Sequence, residues 1–161
     1  MKKKTVYSFI ALGFMVLIGY SIVQPVHFHY AKAIFQYCFD SKKYSIEGLD
    51  VKVIYPWYLA SMDKDIISLT KPSKKDYFGL VNFLECNDAF LLNIKHAPAL
   101  KNHKSDTLKA TNVTLIGYIH KVNTQLYAKW NVAGKNTCIE VVNVWEEEFG
   151  DIRELLNAIE K

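Results

Sequence analysis

Lys2, Lys3 and Lys4 are followed by an uncharged, mostly apolar run from Thr5 to Val23, which ends at Gln24-Pro25. As a helix, rising about 1.5 Å per residue, this run is roughly 28 Å long, close to the hydrocarbon thickness of a bilayer. The sequence therefore predicts a basic n-region at 1–4 and a transmembrane signal anchor at 5–24. A signal peptide is the alternative reading, but its apolar core is usually shorter, about 7 to 15 residues. The small-x-small sites Gly19-Tyr20-Ser21 and Ala31-Lys32-Ala33 sit inside the run or after bulky residues. Lys2 to Lys4 precede the span and only Lys32 follows it closely, so the positive-inside bias predicts a cytoplasmic N-terminus. The expected location is a single-pass inner-membrane protein with its C-terminal domain in the periplasm, and the membrane is its first partner through residues 5–24.

Beyond the run about 136 residues remain, enough for one domain with a real core. Of 20 basic side chains three precede the run, leaving 17 against 16 acidic ones, a net of +1. Nucleic-acid binding needs a concentrated positive face, so that partner class is excluded. Two basic stretches, Lys71 to Lys75 and Lys101 to Lys109, read as solvated loops.

Pro25 lacks an amide proton and breaks the first helix; Val26 to Phe39 then resumes a helical pattern, giving a juxtamembrane helix and linker over 25–43. From Tyr44 the apolar period becomes two, with Val51, Val53 and Tyr55 alternating with their neighbours until Pro56. Further strands are predicted at Asp65 to Thr70, Tyr77 to Glu85 and Phe90 to Lys95. His96 to Ala110 reads mainly as a loop. Strands follow at Thr111 to Val122, Leu126 to Val132 and Thr137 to Val144, the last two joined by a hairpin at Ala133-Gly134-Lys135-Asn136. Trp145, Phe149, Ile152, Leu156 and Ile159 form one helical stripe, with Asn143 at N-cap spacing from Glu146. The predicted class is α+β: an N-terminal transmembrane helix, then a small antiparallel sheet domain over 44–161 with a C-terminal helix packed on it.

The order of the Gly48-Leu49-Asp50-Val51-Lys52-Val53 strand, the Pro56-Trp57 step, the hairpins and the Cys138 to Val142 strand running into the Phe149 to Ile159 helix resembles PsbP-like α/β sandwich domains. The resemblance spans Tyr44 to Lys161. That family includes extrinsic photosystem subunits and bacterial envelope lipoproteins, so the resemblance implies a binding or accessory role. This chain lacks the lipoproteins' anchor cysteine.

Candidate chemistry is sparse. Cys38, Cys86 and Cys138 are too widely spaced for a zinc knuckle; Cys86 and Cys138, both bordering predicted strands, are the favoured disulfide pair, and three reduced thiols are the alternative. His27 and His29 would share one side of a strand but diverge on a helix, and His96, His103 and His120 are scattered, so no metal site is expected. No phosphate loop or nucleophile elbow occurs, and the carboxylate pairs Asp63 with Asp65 and Glu85 with Asp88 lie in turn-like stretches. No cofactor is expected. The cluster Tyr55-Pro56-Trp57-Tyr58 is the candidate binding feature, because tyrosine and tryptophan present large rigid area with a polar tip, and Tyr58 is expected to be the more exposed. The functional expectation is a non-catalytic, membrane-anchored envelope domain that binds a protein partner. Its alternatives are a membrane-tethered hydrolase or thiol enzyme and a toxin-neutralising immunity protein.

Overall fold

The structure, a computed structural model, describes residues 13, 15–16, 19, 25–39, 43–73, 79–100 and 102–160. Its first continuous element is α1 (Pro25–Phe39). The strands β1 (Lys43–Ile46), β2 (Leu49–Lys52), β3 (Tyr58–Asp63), β4 (Ile66–Thr70) and β5 (Leu80–Glu85) precede α2 (Asp88–His96). A 3-10 turn at Ala97–Ala99 leads to β6 (His103–Lys109), β7 (Thr114–Val122), β8 (Gln125–Val132) and β9 (Thr137–Trp145). A second 3-10 turn, Glu146–Glu148, runs into α3 (Phe149–Asn157) and the short β10 (Ile159–Glu160).

The strands form two antiparallel sheets, ordered β1-β2-β10 and β3-β4-β5-β9-β8-β7-β6. The larger is held by simple alternation. Along β8 Leu126, Ala128, Trp130 and Val132 are buried while the residues between them are partly exposed, the period-2 signature of a strand with one covered face. Positive φ at Asn123 and Gly134 lets the chain reverse tightly between β7 and β8 and between β8 and β9. Gly117 of β7 is dictated by close approach, since a Cβ there would lie 1.8 Å from the Lys129 carbonyl oxygen.

One face of the large sheet is the core. Leu69, Val81, Phe83, Leu115, Trp130 and Ile139 meet Leu49 and Val51 of the small sheet and Ile152, Leu155 and Leu156 of α3 in a single apolar cluster. Trp130 keeps its indole satisfied in that core by donating from Nε1 to Asp106 Oδ2 at 3.0 Å, which a buried tryptophan needs.

The predicted fold class is corrected on two points. The transmembrane helix at 5–24 falls, apart from residues 13, 15, 16 and 19, outside the described residues, and among the described residues no helix is long and apolar enough to cross a membrane. The domain itself is mainly antiparallel sheet, with three α-helices described, rather than a small sheet carrying a helix. Sheet replaces two segments read otherwise. The predicted loop at 96–110 contains β6, whose Lys, Ser, Asp and Thr residues suit a sheet edge, and the predicted helix from Trp145 is helical only over Phe149–Asn157, because Trp145 still pairs with Gln125 and Ile159 with Val51. In the other direction, the predicted strand at Phe90 to Lys95 is α2. Asn87 caps it, accepting from the Phe90 N–H at 2.8 Å, with Asp88 in the first turn and Lys95 and His96 in the last.

Candidate functional site

The Tyr55-Pro56-Trp57-Tyr58 segment is divided by the fold. Trp57 is buried in the core cluster. Tyr58, expected to be the most exposed, is 2% exposed, whereas Tyr55 is 48% exposed. The reason is α1, which lies across β3. His29, Ala33 and Gln36 share the inward face of that helix at spacings of four and three. His29 Nδ1 and the Tyr58 hydroxyl are hydrogen-bonded, and Lys32 Nζ sits 5.1 Å above the Tyr58 ring. Gln36 clamps two elements at once: its Oε1 accepts from the Leu59 N–H at 2.7 Å and its Nε2 donates to Tyr44 Oη at 3.0 Å.

Burial pushes the Tyr58 phenol up to about 12. Burial, with the Lys32 charge beside it, pushes His29 below its ordinary value. Both shifts favour the neutral pair, an uncharged imidazole beside a protonated phenol. His27 lies in the same helix.

The outward face of α1 is apolar. Phe35 is 65% and Phe39 78% exposed, Ile34 and Tyr37 are also exposed, and Tyr37 meets Tyr55 edge-on with ring centroids 5.9 Å apart. Phe35 and Phe39 pack against each other at 5.1 Å. Tyr55 therefore belongs to a surface built largely by a helix 20 residues earlier, and not to a cluster with Trp57 and Tyr58. The signal for it in sequence was the density of aromatics in α1, Phe28, Tyr30, Phe35, Tyr37 and Phe39, more than one packed helix face uses.

A second surface lies on the large sheet's other side, where α2 covers part of β7 and β8 and Phe90 receives Lys129 Nζ at 4.9 Å. A polar row crosses this face in register through Ser68, Asn82, Glu140, Lys129 and Tyr118. Lys129 pairs with Glu140 at 3.0 Å. Beside that row stand His103, His120 and Tyr127, one on each of β6, β7 and β8 and directly opposite one another. The His103 and His120 rings are nearly parallel, with centroids 4.0 Å apart. Tyr118 is 5.1 Å from His103, and Tyr127 6.0 Å from His120. The Tyr127 hydroxyl donates to Asn143 Oδ1. Partial burial, and then the neighbouring His103, lower the pKa of His120. Sequence reasoning treated these histidines as scattered because it left β6 unassigned.

Cys86 and Cys138 form a disulfide, S–S 2.09 Å, linking the end of β5 to β9, and Cys38 is free and exposed. Of the basic stretches, Lys71 is tied to Glu148 at 3.8 Å and to Asp151, while Ser73 donates to both Glu148 oxygens at 2.9 and 3.0 Å. Lys74 and Lys75 lie outside the described residues. Lys104 and Lys109 belong to β6 rather than to a loop. Asp63 ends β3 and Asp65 lies in the exposed turn to β4, and Glu85 accepts from Asn136 Nδ2 at 2.9 Å. Among the described residues no group of three or more His, Cys, Asp or Glu is placed to hold a metal ion.

No family model matches the chain, and no curated protein matches it either. A crystal structure of a protein from Bacteroides thetaiotaomicron is similar over 74% of this chain and 48% of that one, at 13% identity and a TM-score of 0.47. The chain thus spans about half the length of that protein, and a likeness at this level carries no argument about fold or activity.

Proposed function

We propose that this chain is an exported, non-catalytic binding or accessory domain of the cell envelope that meets a protein partner through the outward face of α1 and Tyr55. The observation that carries the reading is the solvent exposure of Ile34, Phe35, Tyr37, Phe39 and Tyr55 on one helix and the loop beside it. Contiguous exposed apolar surface of this kind marks interaction sites, and aromatic side chains give rigid contact area at small entropic cost. The helix is held in place by Gln36 and by the His29–Tyr58 pair, so a partner does not have to order it. A disulfide is at home in an oxidising compartment, which supports placing the domain outside the cytoplasm. The resemblance to PsbP-like domains points to the same kind of role.

The test is site-specific photocrosslinking in living cells, with the reactive residue placed at Phe35, at Phe39 and, as a control on the sheet, at Ile116. The expected result is one discrete heterologous adduct from Phe35 and Phe39 that Ile116 does not give. A folded Phe35→Ser/Phe39→Ser variant should lose that adduct and fail to complement a strain lacking the protein. Full complementation by the folded double variant, or equal adducts from all three positions, overturns the reading. External protease should digest the domain in spheroplasts; full protection overturns its extracytoplasmic placement.

A further inference from the structure

From the paired strands β6 and β7 we infer a second site: His103 and His120 form a two-imidazole chelate for a borderline divalent transition-metal ion, Cu²⁺ first among them. The two residues face each other directly across the antiparallel pair, the closest approach a sheet gives to side chains on different strands. Their rings are stacked, with centroids 4.0 Å apart and planes 12° from parallel. Metal–imidazole bonds are about 2.0 to 2.1 Å, so two adjacent ligand nitrogens sit roughly 3 Å apart. To share one ion the rings must turn out of the stack about their own side-chain torsions until a nitrogen lone pair of each points at it.

Several features of the surroundings suit this chemistry. Both histidines are only partly buried, which leaves water to fill the remaining coordination positions. The Tyr118 and Tyr127 rings stand against His103 and His120 respectively. They steady the imidazoles and supply polarisable surface around the ion. On this face Lys129 is paired with Glu140, so its charge is compensated locally. Imidazole nitrogen favours Cu²⁺, Ni²⁺ and Zn²⁺ over Mg²⁺ or Ca²⁺, and the expected order of affinity is Cu²⁺ above Ni²⁺ and Zn²⁺.

The experiment is titration of the purified full-length chain with Cu²⁺ alone, in a non-coordinating buffer, read by competition with glycine and by electron paramagnetic resonance. The expected result is one tight equivalent whose spectrum shows two nitrogen ligands. His103→Gln and His120→Gln should each weaken it by about tenfold or more, because the second imidazole binds at high effective concentration only while the first is present. His96→Gln, on the exposed end of α2, should leave it unchanged. A second readout avoids variants altogether: in the unmodified protein, substoichiometric Cu²⁺ should broaden amide resonances of β6 and β7 before those of other strands. Unchanged tight binding in the His103→Gln/His120→Gln double variant, or broadening centred elsewhere, overturns the assignment.

Discussion

The Cys86–Cys138 bridge spans 52 residues of sequence, and that span sets what its loss should cost. In the chain-entropy account a closed loop of this size removes about 14 cal/mol/K from the unfolded ensemble, which is about 4 kcal/mol at 25 °C. The native side changes little, because the two cysteines sit at the end of a ladder that is already closed. Leu84 pairs with Cys138 and Glu85 with Thr137, and the Cys86 N–H donates to the Asn136 carbonyl at 2.9 Å. Reduction therefore acts almost wholly on the unfolded chain. At about 3 °C per kcal/mol for a protein of this size, the melting temperature should fall by about 12 °C. Calorimetry of the oxidised and reduced forms measures it, with Cys38→Ser as the background, because the exposed Cys38 thiol would otherwise form intermolecular bridges. Cys86→Ala/Cys138→Ala should lose about 1 kcal/mol more than reduction alone, since Cys138 is fully buried and alanine leaves a void. A loss below about 1 kcal/mol after thiol counting has confirmed full reduction would refute the entropic reasoning.

Three further outcomes follow from buried contacts. Gly117→Ala should cost about 3 kcal/mol or more, because its Cβ would meet the β8 backbone at Lys129 and force β7 and β8 apart; a near-wild-type melt would show the ladder more compliant than drawn. Leu156→Ala should cost about 2 to 5 kcal/mol, as the side chain is fully buried between α3 and the large sheet, and urea titration reads it directly. Tyr58 keeps its proton to about 12 when folded but only to about 10 when unfolded, so the unfolded state loses the proton first and stability drops as pH rises through that window, by up to about 3 kcal/mol. Tyr58→Phe should flatten the decline between about pH 10 and 12, and parallel curves would contradict the burial assigned to the phenol.

What could be read from the chain beforehand depended on how strongly local pattern and tertiary context agreed. Residues 125–132 alternate cleanly because one face is core and the other is not, and Gly134 marks the hairpin into β9. β6 carries no such alternation: at a sheet edge its polar side chains need no periodic burial, so His103 to Lys109 looked like a loop. With β6 unrecognised, no register could place His103 against His120. α2 was mistaken for a strand on its short apolar run Phe90-Leu91-Leu92, although the Asn87 cap and the flanking charges had signalled a helix. Tyr58 was read as exposed because its cover, α1, comes from almost thirty residues earlier, and nothing in a local pattern encodes that distance.

Both ends of the seven-stranded sheet are closed to recruitment. β3 forms one border, and there the register shifts between Leu59 and Ser61 while Gln36 of α1 occupies the Leu59 N–H that an incoming strand would need. β6 forms the other, carrying Lys104, Asp106 and Lys109 along its length. Irregular pairing, a side-chain plug and charged borders are the devices that keep sheets from growing strand by strand into fibrils. Strand-by-strand growth at either border of the seven-stranded sheet is disfavoured by these features.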